Sequence, residues 1–213
     1  LTVTGANDAP TSAAGSESGT EDTTYTYSTS DFAYSDVDTD DTALVSITIT
    51  VVESSGDLEY WDGNAWTDVE ADDVITKATL DTPGLRLVPA TDSTADVTFS
   101  FTVEDSDESS ADEYVMTTTF AAANDAPAIE NAIADEAATE DAAYTFTFAA
   151  DVFSDADGDS CTYSAVENGQ SDLPGWLSFD ASTRTFTGTP LNADVGTDTI
   201  DVTCDDGNGG DAT

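Results

Sequence analysis

The chain contains no histidine, and only three lysines and arginines stand against 45 aspartates and glutamates. Without histidine the commonest general base and zinc ligand is missing. The formal net charge of −42 leaves no basic patch to neutralise the phosphates of DNA, RNA or anionic lipid. Nucleic-acid binding, zinc chemistry and attachment to an anionic bilayer surface are excluded together. The longest β-branched apolar run, residues 47–52, is far short of the ~20 residues of a spanning helix. Residues 1–5 carry neither a basic region nor a cleavage pattern, so they do not read as a signal peptide. No N-x-Ser/Thr sequon occurs. Serine and cysteine stand in no nucleophile motif such as G-x-S-x-G. The glycine-rich run Gly207-Asn208-Gly209-Gly210 lacks the lysine of a phosphate loop and reads as a turn. These absences argue against an enzyme.

Of what is present, the carboxylates come first. Two of them about 4 Å apart repel by about 4 kcal/mol at an intermediate effective dielectric. A fold that clusters many needs cations, high salt, or both. Calcium suits such a chain because it takes six to eight hard oxygen ligands in irregular geometry. A halophilic setting would favour the same surface. At 38% hydrophobic residues the chain also has enough apolar material for a core.

The chain repeats itself. Ala6-Asn7-Asp8-Ala9-Pro10 returns as Ala123-Asn124-Asp125-Ala126-Pro127, and Glu21-Asp22 as Glu140-Asp141. Ser35-Asp36-Val37-Asp38 then returns as Ser154-Asp155-Ala156-Asp157. Ordered matches at nearly constant spacing indicate tandem modules. Apolar and polar residues alternate over 25–27, 44–52, 85–88 and 97–103 in the first module. They do so over 144–148, 161–166, 176–179, 185–187 and 199–204 in the second. Helix-length periodicity is absent, so the expectation is all-β: two tandem Greek-key sandwiches joined by a short linker. Residues 1–5 read as the last strand of a preceding module, 6–123 as module one and 124–213 as module two. The second module is expected to lack its own final strand, as 114–120 is for the first, leaving an edge that another segment or chain would cover.

These residues resemble cadherin-like repeats: Asn-Asp-Ala-Pro at a module start, Glu-Asp before the second strand, Asp-x-Asp before the third. The first module is similar to the tandem repeats of large bacterial surface adhesins. The second resembles the dystroglycan-type subclass through Leu173-Pro174-Gly175-Trp176-Leu177-Ser178-Phe179-Asp180, Phe186-Thr187-Gly188-Thr189-Pro190 and Asp194-Val195-Gly196-Thr197. The resemblance implies calcium at the junctions between modules of an extracellular or cell-surface array. Carried over by residue, the internal junction would draw on Glu21 and Asp22 from module one. To these it adds Asn124, Asp125, Asp155, Asp157 and Asp205, with Asp159 as a further candidate. The upstream junction would use Asn7, Asp8, Asp36, Asp38 and Asp105 with a glutamate from a neighbour. The linkers are shorter than the familiar Asp-x-Asn-Asp-Asn form and neither module has an Asp-Arg-Glu motif. One or two ions per junction are therefore expected.

Cys161 and Cys204 would open and close neighbouring strands at the linker end, where a disulfide or two buried thiols could form. Trp61 and Trp66 flank the hairpin turn Asp62-Gly63-Asn64. They either pack across it or contact carbohydrate. The expected partners are neighbouring modules, other copies of the chain, or a cell-surface or polysaccharide target. The function expected is a structural or adhesive module stiffened by calcium. A carbohydrate-binding module and a filament subunit assembled by strand donation are the alternatives.

Overall fold

The computed structural model describes residues 1, 6–38, 43–82 and 84–213. The reading of residues 1–5 as the last strand of a preceding module thus lies outside the described residues, apart from Leu1. The chain divides into two compact units, Leu1–Ala123 and Asn124–Thr213, and each is a β-structure with a core of its own.

In the first unit the strands are β1 Gly15–Thr20, β2 Tyr25–Tyr27, β3 Ser46–Val51, β4 Asp57–Trp61 and β5 Trp66–Asp68. They continue as β6 Val74–Thr76, β7 Leu85–Val88, β8 Val97–Glu104 and β9 Tyr114–Ala121. One short helix, α1 (Lys77–Leu80), follows β6, its N-cap Thr76 accepting from the Thr79 amide. The order β1-β9-β8-β3-β6 makes one sheet and β2-β7-β4-β5 the other. Strict alternation builds the space between them: every second residue of β8, from Val97 to Val103, is buried. Ile47, Ile49, Phe99, Phe101 and Met116 face Tyr27, Leu58, Leu85 and Leu87 in one core. Burying each such side chain contributes about 1.5–3 kcal/mol.

Sequence alternation missed β1, which runs parallel to β9 with Gly15 opposite Met116 and Gly19 opposite Phe120. A Cβ on Gly15 would lie 2.4 Å from the Met116 methyl carbon. The positions of β1 opposite Met116 and Phe120 are therefore glycine so that those side chains can fill the space. Glu17 lies between them on the same face, and apolar alternation vanishes.

The second unit carries β10 Ala128–Ile129, β11 Tyr144–Thr147, β12 Phe153–Ser154, β13 Thr162–Glu167, β14 Leu177–Asp180, β15 Thr185–Gly188, β16 Ile200–Asp205 and β17 Asp211–Ala212. Its sheets are β11-β15-β14 and β13-β16-β17, with β10 and β12 paired beside them. Phe148, Val152, Phe153, Phe186 and Cys204 form the core. Trp176 packs edge-on against Tyr144. Gly188 is bare because a Cβ there would approach the Trp176 carbonyl to 2.2 Å. Where the sequence suggests no final strand, the short strand β17 pairs antiparallel with β16, Ala212 opposite Cys204.

Candidate metal centres

Each unit gathers carboxylates where its chain enters, and the two gatherings are built alike. In the first, the Asp8 amide donates to Asp38 Oδ2 at 2.8 Å and the Asp38 amide donates to Asp36 Oδ1 at 2.6 Å. The loop after β8 closes over Asp105, whose Oδ1 accepts from the amides of Asp107 and Glu108, both at 2.6 Å. Asn7 donates to Glu108 Oε1 at 3.0 Å. Burial of Asp105 works against its charge, but the amides of Glu108 and Asp107 outweigh that and hold its pKa below the usual aspartate value. Asp105 is 5% exposed. Its Oδ2, like Asp36 Oδ2, is buried with no hydrogen-bond partner among the described residues.

In the second unit the Asp125 amide donates to Asp157 Oδ2 at 2.8 Å, the same bond between the same repeat positions. The Asp159 amide donates to Asp155 Oδ1 at 3.0 Å, and Asn208 donates to Asp159 Oδ2 at 2.7 Å. Asp155, Asp157 and Asp159 bring ligand oxygens within 4.8 Å of one another, and Asp155 Oδ2 is buried with no hydrogen-bond partner among the described residues. The aspartate closing this site is Asp206, which the sequence reading overlooked. Its Oδ1 accepts from the amides of Asn208, Gly209 and Gly210, and its Oδ2 from Asn124 at 2.9 Å. The Asn124 side chain, against the opposing effect of burial, lowers its pKa, and the loop amides add to that. Asp206 thus stands where Asp105 does, one residue after the strand. Asp205 is the last residue of β16 and exposed, and its Oδ1 accepts from Gly207. The matching pattern is Val103-Glu104-Asp105 with Cys204-Asp205-Asp206: a buried residue, an outward acid, then the inward aspartate.

Glu21 and Asp22 lie at the opposite end of the first unit from Asp8, after β1 has crossed it. Glu21 is buried, with Oε1 accepting from the Ala123 amide at 2.9 Å. Asp22 takes a φ of 55° and accepts from the Asp92 amide. Asp141, its repeat partner, has a φ of 57°, so the recurring Glu-Asp also marks a left-handed turn position that aspartate tolerates. Glu140 is exposed.

A divalent cation is the group these residues fit. Calcium binds all-oxygen sites of carboxylate, amide carbonyl and water, and the donors here are aspartates with asparagine beside them. Among the described residues, buried carboxylate oxygens without a hydrogen bond include those of Asp36, Asp105 and Asp155 in these sites and of Glu53 outside them. The first three are in the condition a ligand oxygen has before its ion.

Two further features bear on function. Cys161 and Cys204 form a disulfide with Cα atoms 5.0 Å apart, tying the entry to β13 to the end of β16 beside the acidic loop. Trp61 and Trp66 face each other across the β4–β5 hairpin, ring centroids 5.7 Å apart and edge to face.

Residues 126–213 match the family model described as "Putative Ig domain". No curated protein matches the chain. Among solved structures, the chain is similar to the extracellular domain of protocadherin GammaB4, at 13% identity and a TM-score of 0.41 over 92% of this chain and 32% of that one. Drosophila N-cadherin EC1-4 gives 14% identity and 0.29 over 96% and 48%. An endo-fucoidan hydrolase, MfFcnA4 from glycoside hydrolase family 107, gives 20% and 0.34 over 100% and 28%. The chain thus spans less than half the length of each. The fold is all-β, with β-sheets packed around a separate core in each unit. No helix among the described residues is long and apolar enough to cross a membrane.

Proposed function

We propose that the chain is a calcium-stiffened structural or adhesive segment of a longer extracellular repeat protein, with its second module of the dystroglycan-type cadherin-like kind, and that it is not an enzyme. The observation that carries this reading is the doubled constellation. Asn7, Asp8, Asp36, Asp38 and Asp105 in one module correspond to Asn124, Asp125, Asp155, Asp157 and Asp206 in the other, with the same amide-to-carboxylate bond in each. A polar turn arising by chance in an acidic chain would have no reason to repeat its bonding, nor to leave Asp105 buried with an unbonded oxygen.

On this reading calcium supplies the positive charge that lets the carboxylates approach. The Asp-x-Asp loops and the aspartate after the penultimate strand hold it, and the linker residues join the ligand set. Glu21, at the module's far end, serves the junction that follows. Ion binding then ties the linker to both modules, and the work done is mechanical: reach, stiffness and resistance to proteases. Affinities of about 0.1–1 mM suit an extracellular module. The Cys161–Cys204 disulfide supports an oxidising, extracellular location. The partners are neighbouring modules and a surface target.

Calorimetric titration with calcium, paired with thermal melts in calcium and in chelator, tests this. A few ions should bind saturably. Each site should add about 1.4 kcal/mol of stability at tenfold excess over its Kd. Asp36→Asn should remove binding in the first module only, Asp155→Asn in the second only, and Glu21→Gln should weaken the junction ion. Equal stabilisation by sodium at matched ionic strength, without stoichiometric binding, would make the acidity a halophilic surface and end the calcium reading.

A further inference from the structure

The outer face of the four-stranded sheet of the first unit differs from the rest of this acidic molecule. Alternation turns Leu58, Leu85 and Leu87 into the core, so Glu59, Trp61 and Arg86 point the other way. Register sets Thr26, Arg86, Glu59 and Asp68 side by side across β2, β7, β4 and β5, a row roughly 14 Å long at the usual strand spacing. Next to it on the same face stand Trp61 and Trp66, opposite each other. Arg86, one of the chain's three basic residues, lies 3.8 Å over the Trp66 ring and donates through Nε to Glu59 Oε2 at 2.6 Å. Arg86 thereby holds Trp66 in place, while Trp61 remains 39% exposed. At its other end the row reaches Thr26, which helps line an open groove of about 520 Å³.

An exposed indole beside a fixed row of hydroxyl, guanidinium and carboxylate groups has a definite chemistry. The ring face attracts weakly positive C–H groups, and the row offers donors and acceptors in a line. A ligand that uses both is flat and apolar on one side, and edged with hydroxyls on the other. A pyranose with equatorial hydroxyls answers that description. The length of the row calls for several linked rings. A helical peptide would instead need a continuous apolar groove. The net charge of −42 repels sulfated and uronic-acid polymers. We infer that this face binds a linear, neutral β-linked polysaccharide, with one sugar ring stacked on Trp61 and its neighbours hydrogen-bonded along the Arg86 row. The inference goes beyond calcium stiffening and does not rest on it.

Calorimetric titration of the whole chain with cellohexaose, xylohexaose and mannohexaose, and with dextran sulfate as the polyanion, tests it. At least one neutral hexaose should bind with a Kd of about 0.1–1 mM, and dextran sulfate should not. Trp61→Ala should weaken that binding at least about tenfold with the melting temperature unchanged. Trp61→Leu keeps apolar bulk at the hairpin without the ring face, so it decides the matter if the alanine variant fails to fold. No heat with any neutral hexaose, undiminished binding by a folded Trp61 variant, or a preference for dextran sulfate would each overturn the inference. Calcium binding is read by titrating the ion alone, so the two readings fail separately.

Discussion

At the scale of single residues, Tyr27 and Thr118 show how a polar contact is kept inside an apolar core. Both are fully buried, and their hydroxyls share a 2.6 Å hydrogen bond from opposite sheets. Neither could be buried cheaply alone, since an unpartnered hydroxyl costs about 1–3 kcal/mol. Burial pushes the Tyr27 pKa well above its ordinary value. In the unfolded chain the phenol ionises near pH 10, whereas in the folded chain it stays protonated beyond that. Stability contributed by Tyr27 is therefore constant below about pH 10. Above that it falls by up to about 1.4 kcal/mol per pH unit as the unfolded state alone loses its proton. Tyr25, also raised by burial and by its bond to Glu17, is less enclosed and adds a smaller, screened share. Tyr27→Phe should cost about 1–2 kcal/mol at neutral pH by stranding the Thr118 hydroxyl. It should also flatten the alkaline limb. Urea denaturation at pH 8 and pH 11 would read both effects; an unchanged alkaline slope in Tyr27→Phe would remove this account.

At the scale of elements, long alternating strands were legible, whereas a short core strand such as β6, with Ile75 buried, and the strand that accommodates the core were not. Leu85–Val88 and Val97–Glu104 announce themselves by alternation because every second side chain is buried. Gly15–Thr20 is silent for the opposite reason, its glycines making room for Met116 and Phe120. Of the two adjacent aspartates at the end of β16 the sequence singles out Asp205, whereas the buried one is Asp206. Adjacent strand residues point to opposite faces, and nothing in the pair Asp205-Asp206 says which of them turns inward until the burial of Cys204 fixes the phase. That same cysteine sets the element-scale prediction. The Cys161–Cys204 bridge closes a loop with a sequence separation of 43. The chain-entropy cost it removes from the unfolded second unit is about 4 kcal/mol. Cys161→Ala/Cys204→Ala, or reduction of the native chain, should lower the melting of the second unit by about 2–4 kcal/mol and leave that of the first unchanged. Differential scanning calorimetry with and without reductant separates the two transitions. A shift in both would mean that they do not melt independently.

At the scale of the whole molecule, a charge of −42 on 213 residues opposes folding in two ways that differ in range. Dispersed surface carboxylates repel over distances that salt screens: the Debye length falls from about 10 Å at 0.1 M to about 3 Å at 1 M. Asp155, Asp157 and Asp159, with oxygens within 4.8 Å of one another, repel at short range, where screening by salt is weaker than between distant charges. A directly ligated cation acts on the second kind of repulsion and diffuse sodium on the first. Sodium chloride raised from about 0.1 to 1 M should therefore stabilise the chain in chelator. The added rise in melting temperature produced by calcium should shrink but persist at the higher salt, and Asp155→Asn should remove its second-unit part at both salts. Melting curves over a grid of sodium and calcium concentrations measure this. If the calcium increment vanished at 1 M sodium chloride, screening alone would explain the acidity, because a coordinated ion is not displaced by shortening the Debye length.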